Sequence, residues 1–174
     1  YHILADSTQK EGFTIFVSSD EFPEVTTVKN MVDPFRYLLG GKDYQTILDS
    51  KDQKKQIESL WIEWIGNKER ARKAIKKYYK RVETSNIHFS SHLEGWQSDR
   101  GMIYIIYGEP NKIYRTSKAE NWIYGEENNP LSLSFDFVKV INPFTDNDYR
   151  LLRNDTYKPS YHRSVNAWRD GRIY

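Results

Sequence analysis

His88 and His92 stand four residues apart, the spacing at which two imidazoles share a helix face and can hold one metal ion. A zinc-hydrolase helix of that kind also carries Glu directly after its first His, and here residue 89 is Phe. Beyond Glu94 no third ligand is in reach along the chain, and His2 and His162 stand alone. Nucleophilic catalysis needs an activated Ser, Thr or Cys. The chain has no Cys and no Gly-x-Ser-x-Gly elbow, and its His, Ser and Asp residues follow no supporting order. The carboxylates Glu58, Glu63 and Glu109 are scattered, and whether two of them flank a cleft is a question of space that sequence leaves open. Asp99-Arg-Gly101 lacks the glycine spacing and Lys-Ser/Thr ending of a phosphate loop. No catalytic residue, metal ligand or cofactor site follows from the residue types.

Asp99 and Arg100 are the polar pair best placed to act. Beside Trp96, Asp99 is able to hold a ligand hydroxyl or amine while the indole stacks on it; in a first helical turn it instead complements the helix dipole, with Arg100 in a structural ion pair. Trp96, after Gly95, is either an exposed platform or a core plug. Between Lys68 and Arg81 eight cations face only Glu69, a local charge of +7 in a chain whose net charge is +2. Such a run attracts nucleic acid, with Tyr78 and Tyr79 available for stacking, or acidic headgroups and glycans. Ala71, Ala74, Ile75, Tyr78 and Val82 already form an apolar stripe there, which makes the charges its solvated reverse and argues against nucleic acid.

The elements that must position these residues read as follows. Gly12–Ser18 and Val25–Val32 have strand composition, and Gly40-Gly41 then breaks the chain. Ser50 and Gln53 have capping-box spacing ahead of a helix whose apolar face is Ile57, Leu60, Trp61, Trp64 and Ile65. Gly66 ends it, Asn67 caps a second helix that runs to about Phe89, and the short link makes a helical hairpin. Ser98 caps a short helix, Asp99–Tyr107, with Gly108 at its end and Pro110 barring continuation, although Met102–Tyr107 also suits a strand. Strands follow at 121–124, 131–138 and 149–152. In the middle one Leu131, Leu133, Phe135 and Phe137 face one side, toward the core, and Ser132, Ser134 and Asp136 the other. A last helix covers Ser160 to Trp168 and stops by Gly171. The fold class is α+β: a helical hairpin and a short capped helix packed on a small antiparallel sheet, with a β segment over residues 1–40 ahead of a domain over residues 41–174.

Composition sets the outer bounds. The chain has 174 residues, one domain's worth, and 26 aromatic residues that can build a core despite 38% hydrophobic content. Without Cys, disulfides are excluded. No apolar run nears the roughly 18 residues a membrane span needs. The opening residues carry no basic or apolar leader, so a signal peptide is either absent or already removed.

Gly95-Trp96-Gln97-Ser98-Asp99-Arg100-Gly101, followed by Ile103-Tyr104-Ile105 and Tyr107-Gly108-Glu109-Pro110, resembles the GWxTD domain family. The likeness runs back through Leu60-Trp61 and Tyr79–Val82 and forward through Trp122–Tyr124 and Phe135, roughly residues 40–174. Ser98 stands where the family usually has Thr, which keeps the hydroxyl. After Trp64 the family's acidic, proline-bearing loop is replaced by Gly66-Asn67. The resemblance implies an exported protein of Gram-negative bacteria, periplasmic or outer-membrane associated, and implies no particular activity. The expectation is a non-catalytic interaction or scaffold module of the cell envelope. It would bind another envelope protein through Gly95–Pro110, with Trp96, Tyr107 and Trp122 as aromatic anchors and Asp99 and Arg100 as polar specifiers. Gly95, Ser98, Gly101, Gly108 and Pro110 form the structural part of the motif. The alternative is a glycan-binding module, signalled by Trp96, Trp122 or Trp168 lying flat in an open groove; an enzyme of unrecognised class is the remaining reading.

Overall fold

The computed structural model describes residues 1–4, 6–8, 12–127 and 129–173. In chain order the elements are β1 (His2–Leu4), β2 (Gly12–Thr14), α1 (Val28–Phe35), a 3-10 turn (Arg36–Leu38), α2 (Gly41–Leu48), α3 (Gln53–Ile65) and α4 (Lys68–Phe89). A second 3-10 turn (Gly95–Gln97) precedes α5 (Asp99–Tyr107), β3 (Lys112–Arg115), β4 (Ala119–Tyr124), β5 (Leu133–Lys139), β6 (Tyr149–Leu151) and α6 (Tyr157–Arg169). The class is α+β. Residues 24–83 and 154–174 form a helical unit; residues 1–23 and 84–153 form a second unit that holds both sheets.

In the helical unit the residues expected to continue as a strand over Val25–Val32 fold as α1 from Val28 onward. The β-branched composition is overruled by a cap and by burial. The Thr27 hydroxyl accepts the Asn30 N–H at 3.2 Å, and Val32, Phe35 and Leu38 then fall at helical spacing into the core. Two tyrosines of α4 tie the helix down by donating to its carbonyls, one of which, Pro34 O, also accepts the Arg36 N–H. The Tyr78 hydroxyl donates to Pro34 O at 2.7 Å and the Tyr79 hydroxyl to Met31 O at 3.1 Å. Burial raises the pKa of both phenols, so both remain donors throughout the working range. Gly40-Gly41, expected as a plain break, opens α2: Gly40 is its N-cap.

The cap of α3 also differs from expectation. Asp52, rather than Ser50, accepts the Lys55 N–H at 3.0 Å; Ser50 Oγ takes the Asp52 N–H and Gln53 Nε2 donates to Leu48 O. Asp52→Ala is therefore expected to cost about 1 kcal/mol and Ser50→Ala less than half of that, read by urea unfolding. Equal costs would return the cap to Ser50. At the other end Gly66 takes φ 69 and donates to Ile62 O, and Asn67 Oδ1 accepts the Arg70 N–H at 2.9 Å, as the sequence indicates. Between α3, α4 and α6 the rings of Trp61, Tyr78 and Trp168 pack edge to face, Tyr78 lying 5.9 Å from Trp61 and 5.2 Å from Trp168.

In the second unit β1 and β2 pair antiparallel, and the strand expected over Gly12–Ser18 is limited to Gly12–Thr14. The larger sheet is antiparallel in the order β3-β4-β5-β6. Phe135 and Phe137 of β5 are fully buried, while Ser134 and Asp136 face out and receive bonds from Asn121 Nδ2; Leu131, expected on the core face, precedes the strand and is 89% exposed. The helical reading of Asp99–Tyr107 is correct to the residue. Tyr107 lays its ring against Phe135 and Tyr124 at 5.0 and 5.4 Å, so α5 packs on the sheet. The edge strand β3, whose four residues are all exposed, has no burial alternation to announce it.

Candidate functional site

The Gly95–Pro110 stretch is held by close backbone approach. A Cβ on Gly95 would lie 1.8 Å from Ser85 O in α4, and one on Gly101 would lie 1.9 Å from Gly95 O. Gly95 donates its N–H to Ser90 Oγ at 2.8 Å, and the Trp96 N–H goes to Asn86 Oδ1 at 3.1 Å. Trp96 is 4% exposed and its indole N–H donates to Glu94 Oε2 at 2.6 Å, which makes it a plug in the core. Ser98 Oγ accepts the Gly101 N–H at 2.9 Å and donates to Gly95 O at 2.7 Å, so one hydroxyl caps α5 and ties it to the preceding turn. Asp99 accepts from Leu151 N at 2.9 Å and from Arg153 Nη2 at 3.1 Å, fixing the start of α5 to β6. Gly108 takes φ 89, donates to Tyr104 O, and offers its carbonyl to the Tyr124 hydroxyl at 2.9 Å.

Arg100 is the exception to this inward economy. It is 4% exposed and lines a cleft of about 640 Å³, together with Phe89, Tyr104, Glu109, Ile113 and Arg115. One Nη donates to Glu120 Oε1 at 3.4 Å and the other to Asn147 O at 2.9 Å and to Asn147 Oδ1. The guanidinium lies 4.1 Å from the Tyr149 ring centroid and 5.2 Å from that of Phe89. Its Nε is buried without a partner among the described residues. Burial lowers the Arg100 pKa, with the Glu120 carboxylate acting in the opposite sense, and a guanidinium retains its proton. Glu120 is equally buried. It takes Arg115 Nε at 3.1 Å on Oε1 and the Trp122 indole N–H at 2.9 Å on Oε2.

Of the five residues selected from sequence, Arg100 and Trp122 meet, since both bond Glu120 and both line the cleft. Trp96, Asp99 and Tyr107 lie outside that wall, each committed to the packing just described. Trp122 is fully buried between the Phe89 and Phe137 rings, at 5.3 and 4.9 Å. His88 lines the cleft, but α4 ends at Phe89, so His92 falls past the helix and the two imidazoles share no helix face. Among the described residues no three His, Cys, Asp or Glu are placed to hold a metal. Glu120, Asn147 and Tyr149 escaped the sequence reading. Only Glu120 left a signal there: on β4 it shares the inward phase of Trp122, and a carboxylate in that phase calls for an arginine.

A model of the GWxTD domain matches residues 1–170 of the 174. No curated protein and no solved structure matches the chain.

Proposed function

The chain belongs to the GWxTD domain family, and we propose on that premise that it is a non-catalytic interaction module of the Gram-negative cell envelope. It is exported to the periplasm or the outer-membrane face and binds another envelope protein through the cleft beside Gly95–Pro110. The observation that carries this reading is the division of labour within the motif. Gly95, Trp96, Ser98, Asp99 and Gly101 turn inward to shape the backbone, while Arg100, Tyr104, Glu109 and Pro110 supply one wall of an open, mixed apolar and charged cleft. A partner side chain entering there meets rings, a fixed guanidinium and the edge strand β3, the mixture that anchors a few hot-spot residues. Both oxygens of Glu120 are engaged by protein groups, which suits a carboxylate that positions arginines rather than one that moves a proton. Trp96, Trp122 and Trp168 are all buried, so the flat indole platform that would favour a glycan is not offered by any of them.

The test is photo-cross-linking in intact envelopes, with p-benzoylphenylalanine in place of Ile113 on the cleft wall and, as control, in place of Leu131, which is exposed and does not line the cleft. The expected result is one discrete protein adduct from position 113 and not from 131. Identical adduct patterns from both positions would remove the cleft as the binding site.

A further inference from the structure

Within the helical unit, Arg70, Lys73 and Lys77 recur at i, i+3 and i+7 along α4, and all three line a second cavity of about 180 Å³ closed by Ala74, Gly171 and Ile173. Among the described residues no Asp or Glu lines it. The neighbouring anions do not neutralise it: Glu69 reaches Lys73 at 3.4 Å with both side chains in solvent, a pairing worth little, and Asp170 pairs with Arg172. Arg70 is held in place by donating to Asp170 O at 3.3 Å, and Arg81 is held over the Trp168 ring at 5.0 Å. Ala74 lines its floor, and at its rim the chain turns at Gly171 in the left-handed region, φ 64. Burial, and then the charge of Arg81, lower the pKa of Lys77, so an arriving anion would relieve a cost already present.

We propose that this cavity is a binding site for a phosphate group, with Arg70 as the forked donor and Lys73 and Lys77 as point charges. Three cations lining one cavity, of which only Lys73 has a partner, the solvent-exposed Glu69, suit an oxyanion of charge near −2 better than a single carboxylate, and a planar guanidinium matches two of its oxygens. The same chemistry is offered by a phospholipid headgroup and by a soluble phosphate compound. The site is separate from the cleft and does not rest on it.

The experiment is a titration of the full chain with inorganic phosphate at constant ionic strength, followed on backbone amide resonances, beside co-sedimentation with phosphatidylglycerol and phosphatidylcholine vesicles. Lys77→Gln is compared with Lys76→Gln, an exposed neighbour that does not line the cavity. We expect saturable shifts at Lys73, Lys77 and Gly171, weakened at least tenfold by Lys77→Gln and less than twofold by Lys76→Gln. Binding to phosphatidylglycerol vesicles that phosphate displaces identifies the lipid source; phosphate binding without vesicle binding identifies a soluble one. Shifts that do not saturate, or that both substitutions weaken alike, overturn the site and leave only a diffuse basic face.

Discussion

Gly95→Ala is expected to destabilise the chain by about 3–5 kcal/mol, a fall of roughly 10 °C in melting temperature for a protein of this size. The added methyl would sit 1.8 Å from Ser85 O, 2.4 Å from Ser85 C and 2.8 Å from Asn86 Cα. All three are backbone atoms of α4, so no side chain can rotate away and the turn before α5 must move as a body. That motion strains the bonds from Gly95 to Ser90 and from Trp96 to Asn86 together. Gly101→Ala meets Gly95 O at 1.9 Å and should behave similarly. The chain provides its own control. Gly41, in the first turn of α2, has nothing within 4 Å of a built Cβ, and Gly41→Ala should be neutral or slightly stabilising through reduced freedom of the unfolded chain. Thermal melts followed by near-UV circular dichroism check all three. A Gly95→Ala protein that melts with the parent would show that close approach is not what fixes glycine at this position.

The second large effect is at Arg100. Arg100→Ala removes the better-buried of Glu120's two cationic partners, strips Asn147 of its donor and takes the plane off Tyr149, at an expected cost of about 3–5 kcal/mol. Most of that cost is the carboxylate left behind. Arg100→Ala combined with Glu120→Gln should therefore recover a substantial part of the loss, a coupling of about 1–3 kcal/mol in a double-mutant cycle by urea unfolding. Strict additivity would mean that Arg100 contributes through packing on Phe89 and Tyr149, with the ion pair incidental.

The comparison of sequence with structure turns on how far each determinant reaches along the chain. α5 was legible because its signals are local: a Ser98 hydroxyl three residues from the N–H it caps, and Gly108 and Pro110 just past the end. The α3–α4 turn was legible for the same reason. α1 was not. Its residues have strand composition, and the bonds that hold the helix in place come from Tyr78 and Tyr79, 44 and 48 residues away. The edge strand β3 buries none of its residues, so neither run nor alternation marked it. At the site, Arg100 was recognisable as a polar residue in a charged motif, but its surroundings were not. Glu120 lies 20 residues on and Asn147 47 residues on, and only the sheet brings them to one place. Trp96 shows the opposite limit: loop position suggested a platform or a plug, and the bond to Glu94 together with burial makes it a plug.

Under the proposed function, the motif builds the frame and recognition belongs to the exposed wall of the cleft. The direct measurement pairs adduct yield from p-benzoylphenylalanine at position 113 with melting temperature in a chain carrying Glu109→Lys. Glu109 is exposed on the cleft wall, so reversing its charge alters what a partner meets while leaving the packing alone. The expected result is a melting temperature within about 2 °C of the parent, as befits a surface substitution of under about 0.5 kcal/mol, and an adduct yield reduced at least several-fold. An unchanged yield in the folded Glu109→Lys chain would contradict it and send the search for the binding surface to another face.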